Sequence, residues 1–211
     1  MNEETNKSTY EQKKAEREKE KSLENKALKA KQNGKRLIIF LVVIAVLIGI
    51  AVIVKVWGQS LNPTTADLSV FYKAQSRDHI TVGSTHDAYS SNPPTGGWHY
   101  ALPAREKFYT EPLADEYLVH NLEHGDIWIA YSPTLPDAVK DALKKIAGSK
   151  VIITPRSGNP TDISLVAWER LDNFNLENNV LPQDRINDFI KRYKDQGPEK
   201  FPPGTISQTF N

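Results

Sequence analysis

The sequence predicts an α+β fold: an N-terminal transmembrane helix, then one extracytoplasmic domain with a small mixed β-sheet, flanking helices and a long irregular front loop. Three observations predict it. Eighteen residues from Leu37 to Val54 run without a charged or polar side chain. Beyond residue 110, short apolar runs alternate between the periods of helix and strand. Between them, residues 67–109 show little periodicity and many turn formers.

The run from Leu37 to Trp57 matches the ~20 residues that cross a bilayer as a helix, and Trp57 sits where an interfacial aromatic belongs. A cleaved signal peptide fits less well. The run is longer than the usual ~7–15 apolar residues, and Val56-Trp57-Gly58-Gln59-Ser60 offers no small-x-small cleavage site. Lys26, Lys29, Lys31, Lys35 and Arg36 precede the run, with no acid among residues 25–36. After Lys55 the next basic residue is Lys73. The positive-inside rule then gives a cell-membrane, single-pass protein, N-terminus in the cytoplasm and C-terminal domain outside, with the lipid bilayer as a partner. The expected domains are a charged cytoplasmic tail (1–36), a transmembrane helix (37–57), a tether (58–66), an extracytoplasmic domain (67–202) and a C-terminal tail (203–211).

Within the domain, each element has a local reason. Residues 79–82 read as a short strand. Asp115–His124 reads as a short helix closed by Gly125 at the C′ position. Ile127–Tyr131 is an apolar strand. Pro136–Ala147 is an amphipathic helix with Val139, Leu143 and Ile146 on one face, stopped by Gly148. Val151–Thr154 is a strand, Ser157-Gly158-Asn159-Pro160 a turn, and Ile163–Glu169 a returning strand. Pro182–Tyr193 is a closing helix with Ile186, Phe189, Ile190 and Tyr193 at helical spacing. The core is expected to hold Val139, Leu143, Trp168, Phe189 and Ile190.

Composition excludes several chemistries. The chain has no cysteine, which removes disulfides, thiolate nucleophiles and cysteinyl zinc sites. Residues 58–211 carry 15 basic and 19 acidic residues, so no basic footprint for nucleic acid exists. No G-x-S-x-G elbow, phosphate-binding glycine loop or dinucleotide fingerprint is present. Asp115, Glu116, Glu123 and Asp126 read as a solvated helix face and loop rather than a glycosidase pair.

What remains is histidine. All five, His79, His86, His99, His120 and His124, fall in one window, and imidazole suits both metal ligation and proton transfer. His120-Asn121-Leu122-Glu123-His124 spells H-x-x-E-H. On a helix His120 and His124 share one face about 5–6 Å apart, and Glu123 beside them is placed to act as a base on metal-bound water. On a strand the same rings would lie about 13 Å apart and share nothing. The letters also mark the inverzincin metallopeptidases, but those enzymes set the motif within a sizeable helix and take an acidic ligand far downstream. Here Gly125 and a strand follow at once. The metal-ligand candidates are His99, His120 and His124, with His86 next and His79 set aside; Glu123 is the candidate catalytic base or outer partner. With no thiol, zinc or copper(II) is the ion this donor set selects.

Asn92-Pro93-Pro94-Thr95-Gly96-Gly97-Trp98-His99-Tyr100, Glu111-Pro112-Leu113, Val119 to Gly125 and Val166-Ala167-Trp168 occur in that order. In this they resemble the bacterial family called domain of unknown function 3105, over roughly residues 70–200. Where that family carries a serine before the His-Tyr string, this chain has Gly96, so no serine nucleophile is implied. The resemblance implies membrane anchoring with the domain outside, and no named activity.

Two functions remain open. One is a histidine metal site, as a binding module or an enzyme. The other is a non-catalytic module that binds an envelope protein or cell-wall component through an exposed patch of Trp98, Tyr100, Phe108 and Tyr109.

Overall fold

In the computed structural model the chain falls into two units, Met1–Ser60 and Leu61–Asn211. The structure describes residues 39–55 and 62–200, with isolated positions among residues 17–36 and at Gly58. In the first unit, residues 39–55 form helix α1. Here the expectation of a transmembrane helix over 37–57 is corrected. Among the described residues, no helix is long and apolar enough to cross a membrane. The described part of α1, residues 39–55, is shorter than the ~20 residues a span needs. Leu37 and Trp57, most of the 1–36 tail and the 203–211 tail lie outside the described residues.

The second unit is a mixed α+β domain. Its main sheet has strand order β1-β7-β6-β4-β5, where β1 is Val70–Phe71, β4 Ile127–Tyr131, β5 Val151–Pro155, β6 Ile163–Ala167 and β7 Arg170–Phe174. β4 and β5 are parallel, and the other pairs are antiparallel. The parallel pair is joined through helix α3, Asp137–Lys144, because parallel strands need a crossover rather than a hairpin.

The central strand shows why this sheet forms. Every residue of β4 is buried. Ile127, Ile129 and Tyr131 enter one core, with Val139, Leu143, Ile186 and Phe189. Trp128 and Ala130 enter a second, with Tyr109, Leu118 and Leu122. Successive side chains alternate faces, so a strand covered on both sides reads as an unbroken apolar run. Helices α3 and α4, Gln183–Tyr193, cover the first face, while α2, Asp115–Glu123, and the front loop cover the second. A polar handle is also satisfied inside: Trp128 Nε1 donates to Thr154 Oγ1 at 2.8 Å. Two expected core residues are corrected. Trp168 and Ile190 are only partly buried and pack against the edges of the two clusters.

The sequence expectation stops the last strand at Glu169. The structure instead ends β6 at Ala167 and turns back as β7. Glu169 takes φ 60 in that turn, a left-handed conformation that glycine or asparagine usually announces. The front loop holds it there. Glu169 N donates to the Thr95 carbonyl, Tyr72 N to the Glu169 carbonyl, and Ala74 N to Glu169 Oε1.

A second, two-stranded sheet lies in the front loop: β2, His79–Ile80, beside β3, His99–Tyr100, in parallel with His79 opposite His99. Sequence periodicity missed β3, since two residues have no period to show. Further along, Thr64 N and Thr65 N donate to Asp188 Oδ2 at 2.7 and 2.6 Å, which ties the start of the domain to α4.

The end of α2 is closed by tight backbone packing. Gly125 takes φ +81, and residues 195–199 lie on it: Asp195 N donates to the Gly125 carbonyl at 2.8 Å and Glu199 N to the Glu123 carbonyl at 3.1 Å. A Cβ at Gly197 would come 2.2 Å from the Glu123 carbonyl oxygen, backbone that cannot swing aside. Gly197→Ala is therefore expected to cost about 1–3 kcal/mol by overpacking, read as a lowered denaturation midpoint. A variant as stable as the wild type would show that residues 195–199 do not pack against Glu123.

Candidate metal centre

Helix α2 carries H-x-x-E-H at its C-terminal end, with Glu123 its last residue and His124 at the cap. His120 and Glu123 are three residues apart and face the same way, toward the front loop. There the β2–β3 pairing sets His79 beside His99. One ligand atom from each of His79, His99, His120 and Glu123 lies within 4.8 Å of all the others. His99, His120 and Glu123 are buried and His79 is exposed, so the group opens to solvent through His79. The rings of His79, His99 and His120 form a near-equilateral triangle, with centroids 4.9, 4.9 and 5.0 Å apart.

Backbone carbonyls orient two of these rings. His99 Nδ1 donates to the Gly97 carbonyl at 2.8 Å, and His120 Nδ1 donates to the Tyr100 carbonyl at 2.5 Å. A carbonyl can only accept, so each neutral ring carries its proton on Nδ1 and its lone pair on Nε2. This is the arrangement that metal-ligating histidines adopt.

The carboxylate is held from two sides. Arg77 Nε donates to Glu123 Oε1 at 2.5 Å, and Glu123 Oε2 stands 3.0 Å from His99 Nε2. That second contact is close but lacks hydrogen-bond geometry, and His99 Nε2 is buried with no hydrogen-bond partner among the described residues. A lone pair facing a carboxylate oxygen at this separation is repulsive unless a proton or a cation lies between them. Burial pushes the Glu123 carboxyl up, but positive charge on the His99 side and at Arg77 outweighs it and holds the group down at about 2. Glu123 and Asp126, expected on a solvated face and loop, are both buried. Asp126 accepts from Asn121 and pairs with Lys150.

His124 lies on the other side of His120. The two Nε2 atoms are 2.9 Å apart, and His124 Nε2 is 3.3 Å from Glu199 Oε2. His120, His124 and Glu199 make a second group whose ligand atoms lie within 4.8 Å of one another. Of the sequence candidates, His99, His120 and Glu123 thus meet in one group, and His124 meets only His120. His79, set aside on sequence, joins the first group, while His86 packs its ring against Tyr89 and Trp98 and pairs with Glu116. Sequence gave no signal for His79 because its place depends on the β2–β3 register. Of the aromatic residues considered for a docking surface, Tyr100 and Tyr109 are buried, 6 % and 8 % exposed, while Trp98 and Phe108 are half-buried.

Burial lowers His120 and His124 to about 4 from an ordinary value of 6.5. Both rings are therefore neutral, as ligands must be. The sign of the pH effect follows. Between pH 6.5 and 4 the unfolded chain binds protons that the folded chain refuses, so stability falls as pH falls. Glu123, lowered from 4.5 to about 2, acts in the same direction at lower pH. The denaturation midpoint of the metal-free chain is expected to drop steadily from pH 6.5 toward 4, and His124→Gln should flatten that slope. A wild-type midpoint unchanged between pH 7 and 4.5 would show that these rings take up protons in the folded state.

The family described as protein of unknown function (DUF3105) matches residues 79–205. No curated protein and no solved structure matches the chain. The matched span holds all five histidines, Glu123 and Glu199, and covers more than half of the 211 residues. The chain belongs to the DUF3105 family of proteins of unknown function.

Proposed function

We propose that this domain is a metal-binding module that holds one divalent transition-metal ion on His79, His99, His120 and Glu123. The observation that carries the reading is His99 Nε2. It is a buried ligand atom without a hydrogen-bond partner among the described residues, aimed at a carboxylate oxygen 3.0 Å away. A cation between the two turns a repulsion into two bonds. Ligands about 2.0–2.1 Å from an ion at tetrahedral angles are about 3.3 Å apart, so four donors within 4.8 Å need only small side-chain rotations to close on it.

The donor set chooses among ions. Three imidazoles and one carboxylate, with no thiolate, favour zinc or copper(II) over magnesium or calcium, which prefer all-oxygen sites. It also bears on chemistry. Four protein ligands fill a tetrahedral ion and leave no open position for water, as in sites that hold an ion rather than use it. Glu123, committed to the group and clamped by Arg77, is not a free base, which weighs against peptide hydrolysis.

Purified full-length chain, stripped with chelator and titrated with zinc, is expected to bind one ion per chain. At a free concentration of ~100 times the dissociation constant, zinc should add about 2.7 kcal/mol of stability. His79→Ala, at an exposed position that leaves the fold alone, and His99→Ala should each weaken zinc by about tenfold or more. A wild-type chain that binds neither zinc nor copper and gains no thermal stability from them would sink the proposal.

A further inference from the structure

We infer that the domain has two alternative positions for its ion, an inner one on His79, His99, His120 and Glu123 and an outer one on His120, His124 and Glu199, and that His120 hands the ion between them. This rests on the metal-binding reading above and goes beyond it by naming a second site and an exclusive relation between the two.

The exclusivity comes from one atom. Both groups include His120. An imidazole serves two ions at once only by giving up both ring protons and binding through both nitrogens. His120 Nδ1 is committed to the Tyr100 carbonyl at 2.5 Å and keeps its proton. Only Nε2 is left, with a single lone pair in the ring plane. One lone pair binds one ion.

The outer position is built, not incidental. His124 Nε2 lies 2.9 Å from His120 Nε2 and 3.3 Å from Glu199 Oε2, and the His120 and His124 rings meet edge to face with centroids 4.4 Å apart. Glu199 is brought there by its backbone bond to the Glu123 carbonyl and by the close seat of Gly197 on the end of α2. Lys150 Nζ donates to the His124 carbonyl at 2.9 Å and pairs with Asp126 at 3.2 Å, which steadies the cap residue. Two imidazoles and one carboxylate make a weaker set than three imidazoles and one carboxylate, and the Glu199 side chain is 40 % exposed. The inner position is therefore the tighter one, and the outer one the more open.

The transfer itself is ligand exchange without change of oxidation state. The ion keeps His120 Nε2, releases His79, His99 and Glu123, and gains His124 and Glu199. Without an ion, His120 Nε2 accepts the proton of His124 Nε2–H, since its own Nδ1 holds the only proton of the neutral ring. When the ion binds His124 through Nε2, the ring changes tautomer: the Nε2 proton goes to solvent and Nδ1 takes one up, so the ring stays neutral and no net proton is released. When the ion occupies the inner position, it takes the lone pair that His124 would otherwise use. A ring that pivots between two sets of donors lets an ion move without ever becoming fully aquated, which suits a protein that takes up or gives away an ion.

The test is a double-mutant comparison with zinc alone, on the full-length chain, using competition against a chromophoric chelator. Wild type is expected to bind one zinc at saturation. Glu199→Gln alone, which touches only the outer position, should change affinity by less than about threefold, and His79→Ala alone should weaken it by about tenfold or more while still binding one ion. With His79→Ala and His99→Ala combined, the inner position keeps only His120 and Glu123 and the ion retreats to the outer one, so adding Glu199→Gln or His124→Gln should then cost a further tenfold or so. Circular dichroism and thermal midpoints of the zinc-free variants keep misfolding apart from loss of a ligand. If the outer substitutions change nothing in the His79→Ala/His99→Ala background, only the inner position exists and this inference falls while the metal-binding reading stands. Two zinc ions on one wild-type chain would also overturn it, since His120 would not then be exclusive. A wild type that binds no zinc removes both readings together.

Discussion

One hydrogen bond organises the front half of this domain: His120 Nδ1 to the Tyr100 carbonyl, 2.5 Å long and buried. It decides which nitrogen of His120 carries the proton, and so where its lone pair points. It also anchors β3, a strand of only two residues that would have no stability of its own. The next residue repeats the device. Asn121 accepts from Ala104 N and donates to the Ala104 carbonyl. Two adjacent side chains at the end of α2 thus hold the loop 100–104 by its backbone. Because β3 is held, β2 has a partner, and because β2 is in register, His79 stands opposite His99. The histidine group is the last step of a chain of dependences that begins on α2.

The regular half of the domain makes those dependences affordable. Strands β4, β5 and β6 are buried throughout, and each large aliphatic side chain fully removed from water contributes roughly 1.5–3 kcal/mol. The front contributes little of that kind. Instead it buries a carboxylate, Glu123, and a ring nitrogen with no hydrogen bond, His99 Nε2, both of which disfavour the folded state unless compensated. Arg77 compensates the first from outside, its side chain 54 % exposed. Nothing among the described residues compensates the second. Groups of this sort are tolerated where a fold has stability to spare, and they concentrate where a ligand is to be bound.

The division between the two halves also explains what the sequence could reveal. Ile127–Tyr131 was legible as an unbroken apolar run, and Val139 with Leu143 and Ile186 with Phe189 by helical spacing, because burial on a regular element leaves a pattern in the sequence. β7 was not: Arg170-Leu171-Asp172-Asn173-Phe174 has two acidic or amide residues in its centre, and its hairpin turns on Glu169 rather than on glycine. Asp172 is tolerated because Arg185, thirteen residues further on, grips it with two nitrogens at 2.6 and 2.9 Å. The apolar run near the N-terminus shows the opposite limit. Its composition read as a span, but the helix described over 39–55 is shorter than the ~20 residues a span needs. Among the histidines, the i,i+3 relation of His120 and Glu123 could be read locally. His79 could not, because parallel pairing of two dipeptides leaves no local trace.

Three of the four strings that carried the family resemblance meet in space. Tyr100, from the first string, supplies the carbonyl that His120, from the third, binds. Gly96, standing where a serine was expected, packs so closely that an added Cβ would lie 2.8 Å from Ala74 and 3.3 Å from Trp168, which closes the fourth string. Thr95 accepts from Glu169 N, just past that tryptophan. A serine there would crowd the Trp168 ring, so the glycine is explained by packing and implies nothing about a lost nucleophile. What makes this sequence recognisable is therefore one contact network around the His99 loop. The regular sheet beneath it supplies the stability, and the network supplies the geometry of the four donors.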